Sequence, residues 1–166
     1  MSSDALVLLR EDHQRIRALF KDFRAAGEGP PARRKKIVSR ILEELTVHTF
    51  IENEVLYPRI RSMIHDLESD ILESFEEHQV ADLLSAELAD LGPEDERFEA
   101  KTTVLIESVT QHITEEEQEW FPRVRSGLGR SHLRQIGAEL IEARSRAPNS
   151  PARPGALKKA ADAVLR

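Results

Sequence analysis

One stretch of this chain occurs twice, and few folds can accommodate the pair. His48 is followed by Glu52 and then Pro58; 64 residues further on, His112 is followed by Glu116 and Pro122. A lone histidine precedes each copy, His13 in the first half and His78 in the second, 65 residues apart. The His-x-x-x-Glu step puts both side chains on one face of a helix. The chain therefore reads as two successive α-hairpins, each supplying a histidine and then a His–Glu pair.

The apolar residues carry the same reading. Leu6, Leu9, His13, Ile16, Phe20 and Phe23 recur at steps of three and four, one inward stripe of a helix that Ser2, Ser3 or Asp4 can cap. A second helix is predicted from about Pro31 to about Arg61, with Val38, Ile41, Leu45, His48 and Glu52 facing inward and Pro58 kinking it or ending its regular part. A third, capped by Ser69 or Asp70 and running to about Asp90, carries Ile71, Phe75, His78 and Ala81 on one face. A fourth, from about Glu94 to about Arg125, carries Phe98, Thr102, Leu105, Val109, His112 and Glu116, with Gly127 and Gly129 as its stop. A shorter fifth helix, Ser131 to Arg146, would pack Leu133, Ile136, Leu140 and Ile141 across one end. The fold class is thus all-α: an up-down-up-down four-helix bundle with a shorter fifth helix over residues 1–147. Residues 148–166 form a Pro-rich linker and C-terminal tail, in which 156–166 has the pattern of a short helix.

Composition narrows the function classes. There is no cysteine, which excludes disulfides, thiolate metal sites, iron–sulfur clusters and cysteine nucleophiles, and which suits a cytoplasmic, reducing location. The N-terminus, MSSDALVLLRED, lacks the basic and apolar regions of a signal peptide. No apolar run approaches the roughly 20 residues that span a bilayer, so no membrane partner is expected. Net charge is −6 with basic and acidic residues interleaved, which argues against nucleic acid as a main partner.

The six repeated residues fall on faces that otherwise bury leucine, valine, isoleucine and phenylalanine. An ionised carboxylate buried alone is very costly, and two at one depth are worse. A cation compensates them directly. His13, His48, Glu52, His78, His112 and Glu116 are therefore the candidate metal ligands. Two octahedral ions need roughly 12 positions. The histidines, two bridging glutamates and a bridging oxide or hydroxide leave about two positions open for small ligands. Iron is the preferred metal, and imidazole with carboxylate also suits zinc as a substitute. Ferritin-like sites use Glu-x-x-His, and here Leu45 and Val109 stand three residues before each histidine.

The set His13 … His48-x-x-x-Glu52 … His78 … His112-x-x-x-Glu116 resembles the hemerythrin-like, or HHE cation-binding, family over about residues 4–125. The surroundings Asp12-His13-Gln14, Leu56-Tyr57-Pro58, Glu77-His78-Gln79 and Trp120-Phe121-Pro122 are similar too. The resemblance implies a bundle holding two non-haem iron ions, with the six residues as ligands and Glu52 and Glu116 as bridges. Oxygen-carrying hemerythrins have a further histidine where this chain has Ser74, and His followed five residues later by Asp where this chain has Glu116 at four. That departure argues against reversible O2 carriage. The resemblance implies reaction with peroxide, O2 or nitric oxide: catalase-like peroxide decomposition first, a non-enzymatic O2, nitric oxide or iron sensor second, and a helical interaction module with a structural metal third.

Several residues lie outside the set. Tyr57 follows His48 by nine residues, about 180° round a straight helix, which points to packing rather than the site. Trp120 and Phe121 read as core, His65 and His132 as surface. Arg33 to Lys36, and Glu115 and Glu117, read as charged helix faces. Glu44, Asp82 and Glu119 are candidate acceptors for the histidine N–H groups.

Overall fold

The computed structural model describes residues 4–152. Helix α1 (Ala5–Ala26) starts at Asp4, whose carboxylate accepts the amides of Leu6 and Val7 at 3.0 and 3.2 Å. It ends at Gly27, whose positive φ of 46° suits a residue without Cβ. Helix α2 (Pro31–Ile51) opens with proline in its first turn, where no amide donor is missed. Helix α3 is Tyr57–Met63; a single 3₁₀ turn (His65–Leu67) leads into α4 (Glu68–Asp90). Then come α5 (Phe98–Glu115) and α6 (Phe121–Ser145). Lys35 on α2 places its ammonium on the carbonyls of Leu88, Ala89 and Leu91, satisfying the C-terminal end of α4.

The joins α2–α3 and α5–α6 are not breaks. At Glu52–Leu56 and again at Glu116–Trp120 the helix widens into one π turn. The amide of Tyr57 donates to Glu52 and that of Phe121 to Glu116, five residues back. One residue past each turn, after Tyr57 or Phe121, stands the proline, Pro58 or Pro122, whose ring would clash with the carbonyl four residues earlier in a regular helix. So α2–α3 form the second long helix of the bundle and α5–α6 the fourth. The expected kink at Pro58 is taken up as a π turn, and the helix continues to Met63.

The third, fourth and fifth helices differ in detail from expectation. The fourth begins at Phe98, not near Glu94, and the third begins at Glu68 without a side-chain cap. Gly127 stops nothing: it lies inside α6, where a Cβ would come 2.8 Å from Ile64 Cδ1. The chain turns at Gly129 (φ 70°, ψ 173°) and the expected fifth helix follows as the rest of α6. Leu133, Ile136 and Leu140 are buried there, while Ile141 faces outward. Residues 147–152 are not helical, and the tail helix suggested for 156–166 lies outside the described residues.

The apolar core is cut in two. One cluster joins Leu6, Leu9, Ile51, Leu56 and Phe121 to Ile136 and Leu140 of α6. The other holds Ile16, Phe20, Ile41, Leu45, Leu105 and Val109. Along each of the first three long helices the histidine of the repeat sits between its contributions to the two; along the fourth, Ile113 still joins the second cluster and the change comes at Trp120.

Gly129 adopts a backbone region essentially confined to glycine, and nothing lies near its missing Cβ. Gly129→Ala should therefore destabilise the protein by about 1–3 kcal/mol in denaturant unfolding. Gly127→Ala should cost less, because about 1 kcal/mol of helix propensity offsets displacing the tip of Ile64.

Candidate metal centre

All six residues of the repeat converge in the layer between the two apolar clusters. His13, Glu52 and Glu116 are wholly buried, and His48, His78 and His112 nearly so. Two groups of ligand atoms result: His13, His48, Glu52 and Glu116, and Glu52, His78 and His112, the atoms of each within 4.8 Å of one another. Glu116 reaches both histidine pairs, with one oxygen 3.1 Å from His13 Nε2 and the other 3.3 Å from His112 Nε2. Glu52 does the same with a single oxygen, 3.3 Å from both His48 Nε2 and His78 Nε2.

This layer is not satisfied by protein alone. Among the described residues, His13 Nε2, His48 Nε2, Glu52 Oε1 and Glu116 Oε2 are buried without a hydrogen-bond partner. The 3.1 Å approach of His13 Nε2 to Glu116 Oε2 is close but lacks hydrogen-bond alignment. Buried polar atoms are rarely orphaned. Four converging nitrogen and oxygen lone pairs are the donor set of a cation.

The outward ring nitrogens are all engaged. His13 Nδ1 donates to Glu117 at 2.7 Å, His48 Nδ1 to Asp12 at 3.3 Å, His78 Nδ1 to Asn53 at 2.8 Å, and His112 Nδ1 to Glu77. In a neutral imidazole each of these bonds favours the tautomer with its proton on Nδ1, which directs the Nε2 lone pair at the core. The acceptors named from sequence do not serve here. Glu44 pairs with Arg15, Asp82 accepts from Thr49, and Glu119 lies at the surface. Sequence reasoning missed the true ones, and Glu117 is an acceptor where a solvated face was expected. A signal was present: Asp12 and Glu77 immediately precede the lone histidines, and Asn53 and Glu117 immediately follow the glutamates, at the offsets of the repeat itself.

Tyr57 also corrects the sequence reading. It is fully buried, and its hydroxyl donates to Glu116 at 2.8 Å. The same oxygen lies 3.0 Å from His78 Nε2, 3.2 Å from His112 Nε2 and 3.3 Å from Glu52. The π turn explains this. One extra residue per turn takes back about 100° of rotation, so Tyr57 comes round to within about 80° of His48. The equivalent position in the second half is Phe121, stacked on His13 at 5.8 Å. Trp120 and Phe121 are core, and His65 and His132 are exposed, as expected.

The electrostatics are those of a site short of positive charge. Burial, and then the charge of Glu116, push the Glu52 carboxyl up to about 8. Burial also works against Glu116, but His112 and His13 outweigh it and hold Glu116 well below the usual carboxylate range. Burial, reinforced by His112, drives His78 well below an ordinary histidine. His112 goes the other way: Glu116 and Glu77 overcome its burial. Burial and the two glutamates push the Tyr57 phenol well above its usual range, so it keeps its proton.

Two openings adjoin the layer. A cleft of about 220 Å³, lined by Asp70, Glu73, Ser74, Glu77 and Glu119, reaches His112. A smaller apolar cavity of about 10 Å³, walled by Leu45, Ala81 and Val109, touches His48, His78 and His112.

The family model of the hemerythrin HHE cation binding domain matches residues 4–124, which include all six converging residues. The chain belongs to that family. Its all-helical bundle and its buried histidine–glutamate layer are those of a hemerythrin-like, cation-binding domain. A curated relative, a DNA nickase of Nostoc sp. (strain PCC 7120 / SAG 25.82 / UTEX 2576), is 27% identical over 139 residues. The match takes in 84% of this chain but only 38% of that protein. No solved structure matches the chain. Among the described residues, no helix is long and apolar enough to cross a membrane.

The charge balance predicts how the metal-free protein responds to alkali. A carboxyl raised to about 8 holds a proton in the folded state that the unfolded chain, near 4.5, has already lost. Stability from this group is complete below about pH 4.5 and falls as pH rises through 8. Above pH 7, His78 is neutral in both states and drops out, while the raised His112 acts with the same sign as Glu52. Between pH 7 and 9 the metal-free protein should lose on the order of 1 kcal/mol in denaturant unfolding from Glu52 alone. A bound cation replaces that proton, so the metal-loaded protein should lose less.

Proposed function

We propose that His13, His48, Glu52, His78, His112 and Glu116 hold two non-haem iron ions, and that the centre reacts with peroxide or a small diatomic such as O2 or nitric oxide. Catalase-like decomposition of hydrogen peroxide is the favoured reaction. The observation that carries the reading is the set of four buried, unpartnered nitrogen and oxygen atoms directed at one another, with a protonated tyrosine beside them. Two glutamates that each reach both histidine pairs support two ions rather than one. Zinc suits the same donors and is the substitute metal.

Iron, when bound, supplies the electron exchange: one peroxide is oxidised to O2 and a second is reduced to water, so no outside reductant is needed. The chain supplies position and protons. Asp12, Asn53, Glu77 and Glu117 orient the four imidazoles. Tyr57 holds a proton at a hydroxyl among the His78 and His112 ring nitrogens, where a small polar molecule could receive it. The acid-lined cleft meets the site at His112, on this same side, and admits neutral peroxide in preference to anions.

The DNA-directed activity in the relative's name belongs, on this reading, to the part of that protein outside the match. The net charge of −6 and the interleaved charges support that division. The absence of cysteine suits the cytosol as the place of action.

Metal analysis and the visible spectrum of protein purified in air test the reading. About two irons per chain, with charge-transfer bands that shift on adding azide, are expected. Zinc alone, or full stability with no metal, would sink it. His112→Ala should lose metal and stability together. Tyr57→Phe should keep both irons and lower peroxide turnover by roughly 10²-fold. Azide-sensitive iron without turnover would instead favour a sensor, and spectra indifferent to azide a structural clip. Nicking of supercoiled plasmid by the iron-loaded chain would overturn the division from DNA.

A further inference from the structure

The two halves of the centre match in sequence but not in what braces them. Asp12 accepts from His48, and its counterpart Glu77 accepts from His112. Asp12 is nearly sealed, at 2% exposure, and two arginines grip it. Arg15, three residues on in α1, bonds one carboxylate oxygen. Arg144, in the last turn of α6, places Nη2 2.5 Å from the other, the same oxygen that faces His48 Nδ1. Glu77 is more open, at the edge of the acidic cleft, and among the described residues no arginine pairs with it.

Arg144 lies 20 residues beyond the end of the matched family domain at residue 124. It is brought to Asp12 by packing that has nothing to do with charge. Leu133, Ile136, Leu140 and Ala143 of α6 are buried in one apolar cluster with Ala5, Leu6 and Leu9 of α1. Ala143, wholly buried, fixes the register of the turn that carries Arg144. The stem of Arg144 therefore approaches along α1 and meets the residue immediately before His13.

We propose that Arg144 is a positioning residue for the metal position built on His13 and His48: from the part of α6 beyond the matched family domain it pins Asp12 against His48 Nδ1 and so keeps His48 Nε2 directed at the metal. The inference rests on the reading of His48 as a ligand. A carboxylate that orients a metal-bound histidine typically affects metal affinity by about 10–100-fold. A residue that fixes that carboxylate acts through the same bond. Coupling is reciprocal, so metal bound at this position should in turn tighten the docking of α6 on α1.

Cobalt(II) titration of the metal-free full chain, followed by visible absorption and calorimetry, tests this. Wild type should take up about two ions. In Arg144→Ala, one dissociation constant should rise about 10–100-fold while the other stays put, and Arg144→Lys should recover most of the loss. Arg146→Ala is the control. That residue approaches Glu54 and Phe50 near the same helix end but does not touch Asp12, and it should titrate as wild type. Amide exchange across residues 136–145 should slow on cobalt binding in wild type and not in Arg144→Ala. Unchanged constants in Arg144→Ala would overturn the proposal. So would equal weakening of both ions together with a lowered melting temperature of the metal-free protein, since that is loss of helix docking alone. Wild type binding fewer than two ions would overturn the dinuclear reading itself and leave Arg144 no position to serve.

Discussion

Two carboxylates, Glu52 and Glu116, stand at zero exposure in a layer flanked on both sides by a core mainly of leucine, isoleucine, valine and aromatic residues. Transfer of a charged group from water to such surroundings is prohibitive unless it is paired or neutralised. The layer answers with four imidazoles, one phenol and a proton kept on Glu52, and among the described residues it still leaves two carboxylate oxygens and two ring nitrogens unpartnered. Replacing the whole layer with apolar residues would relieve the burden, as for buried ion pairs in general. Its retention at full depth is intelligible as a binding site rather than as a source of stability. The two apolar clusters on either side provide the folding energy and hold the layer away from water.

The π turns are the local device that makes the layer converge. A straight helix can aim residues four apart at one place, which is how His48 meets Glu52 and His112 meets Glu116. It cannot also aim a residue nine positions after the histidine. Widening one turn rotates everything downstream, bringing Tyr57 into one half of the site and Phe121 over the ring of His13 in the other. Proline stands two residues after the last residue of each widened turn, where the missing amide and the bulk of the ring already disfavour a regular helix.

The repeat made the main lines legible. Its spacing identified four long helices, six converging residues and the depth at which they meet, because helical periodicity and the cost of buried charge act locally enough to be read from residue types. The π turns were not legible: a proline within a helical pattern signals a fault but not whether the chain bends, stops or widens. Tyr57 was misjudged for that reason alone, since its angle was reckoned on an unbroken helix. The four orienting acceptors lie on neighbouring helices, yet their places obey the repeat, so comparing the two halves position by position would have found them. Glycine after a helical stretch reads as a stop, but Gly127 instead permits the close approach of Ile64.

That comparison also shows where the duplicated hairpins have parted. Asp12 corresponds to Glu77, Asn53 to Glu117 and Tyr57 to Phe121. The histidine pair of the first group, His13 and His48, is braced by two carboxylates, each held by arginine, with a phenyl ring stacked on His13. The other pair, His78 and His112, is braced by a neutral amide and a partly exposed carboxylate, with a phenol among its ring nitrogens and a cleft at its edge. Negative charge close to an imidazole makes it a stronger donor, so the first pair suits tight retention of a cation. On the proposed reading, solvent access and an available proton suit the second to exchange and reaction. The sequence symmetry of the site thus covers two differently braced histidine pairs, and the difference lies in Asp12 against Glu77, Asn53 against Glu117 and Tyr57 against Phe121.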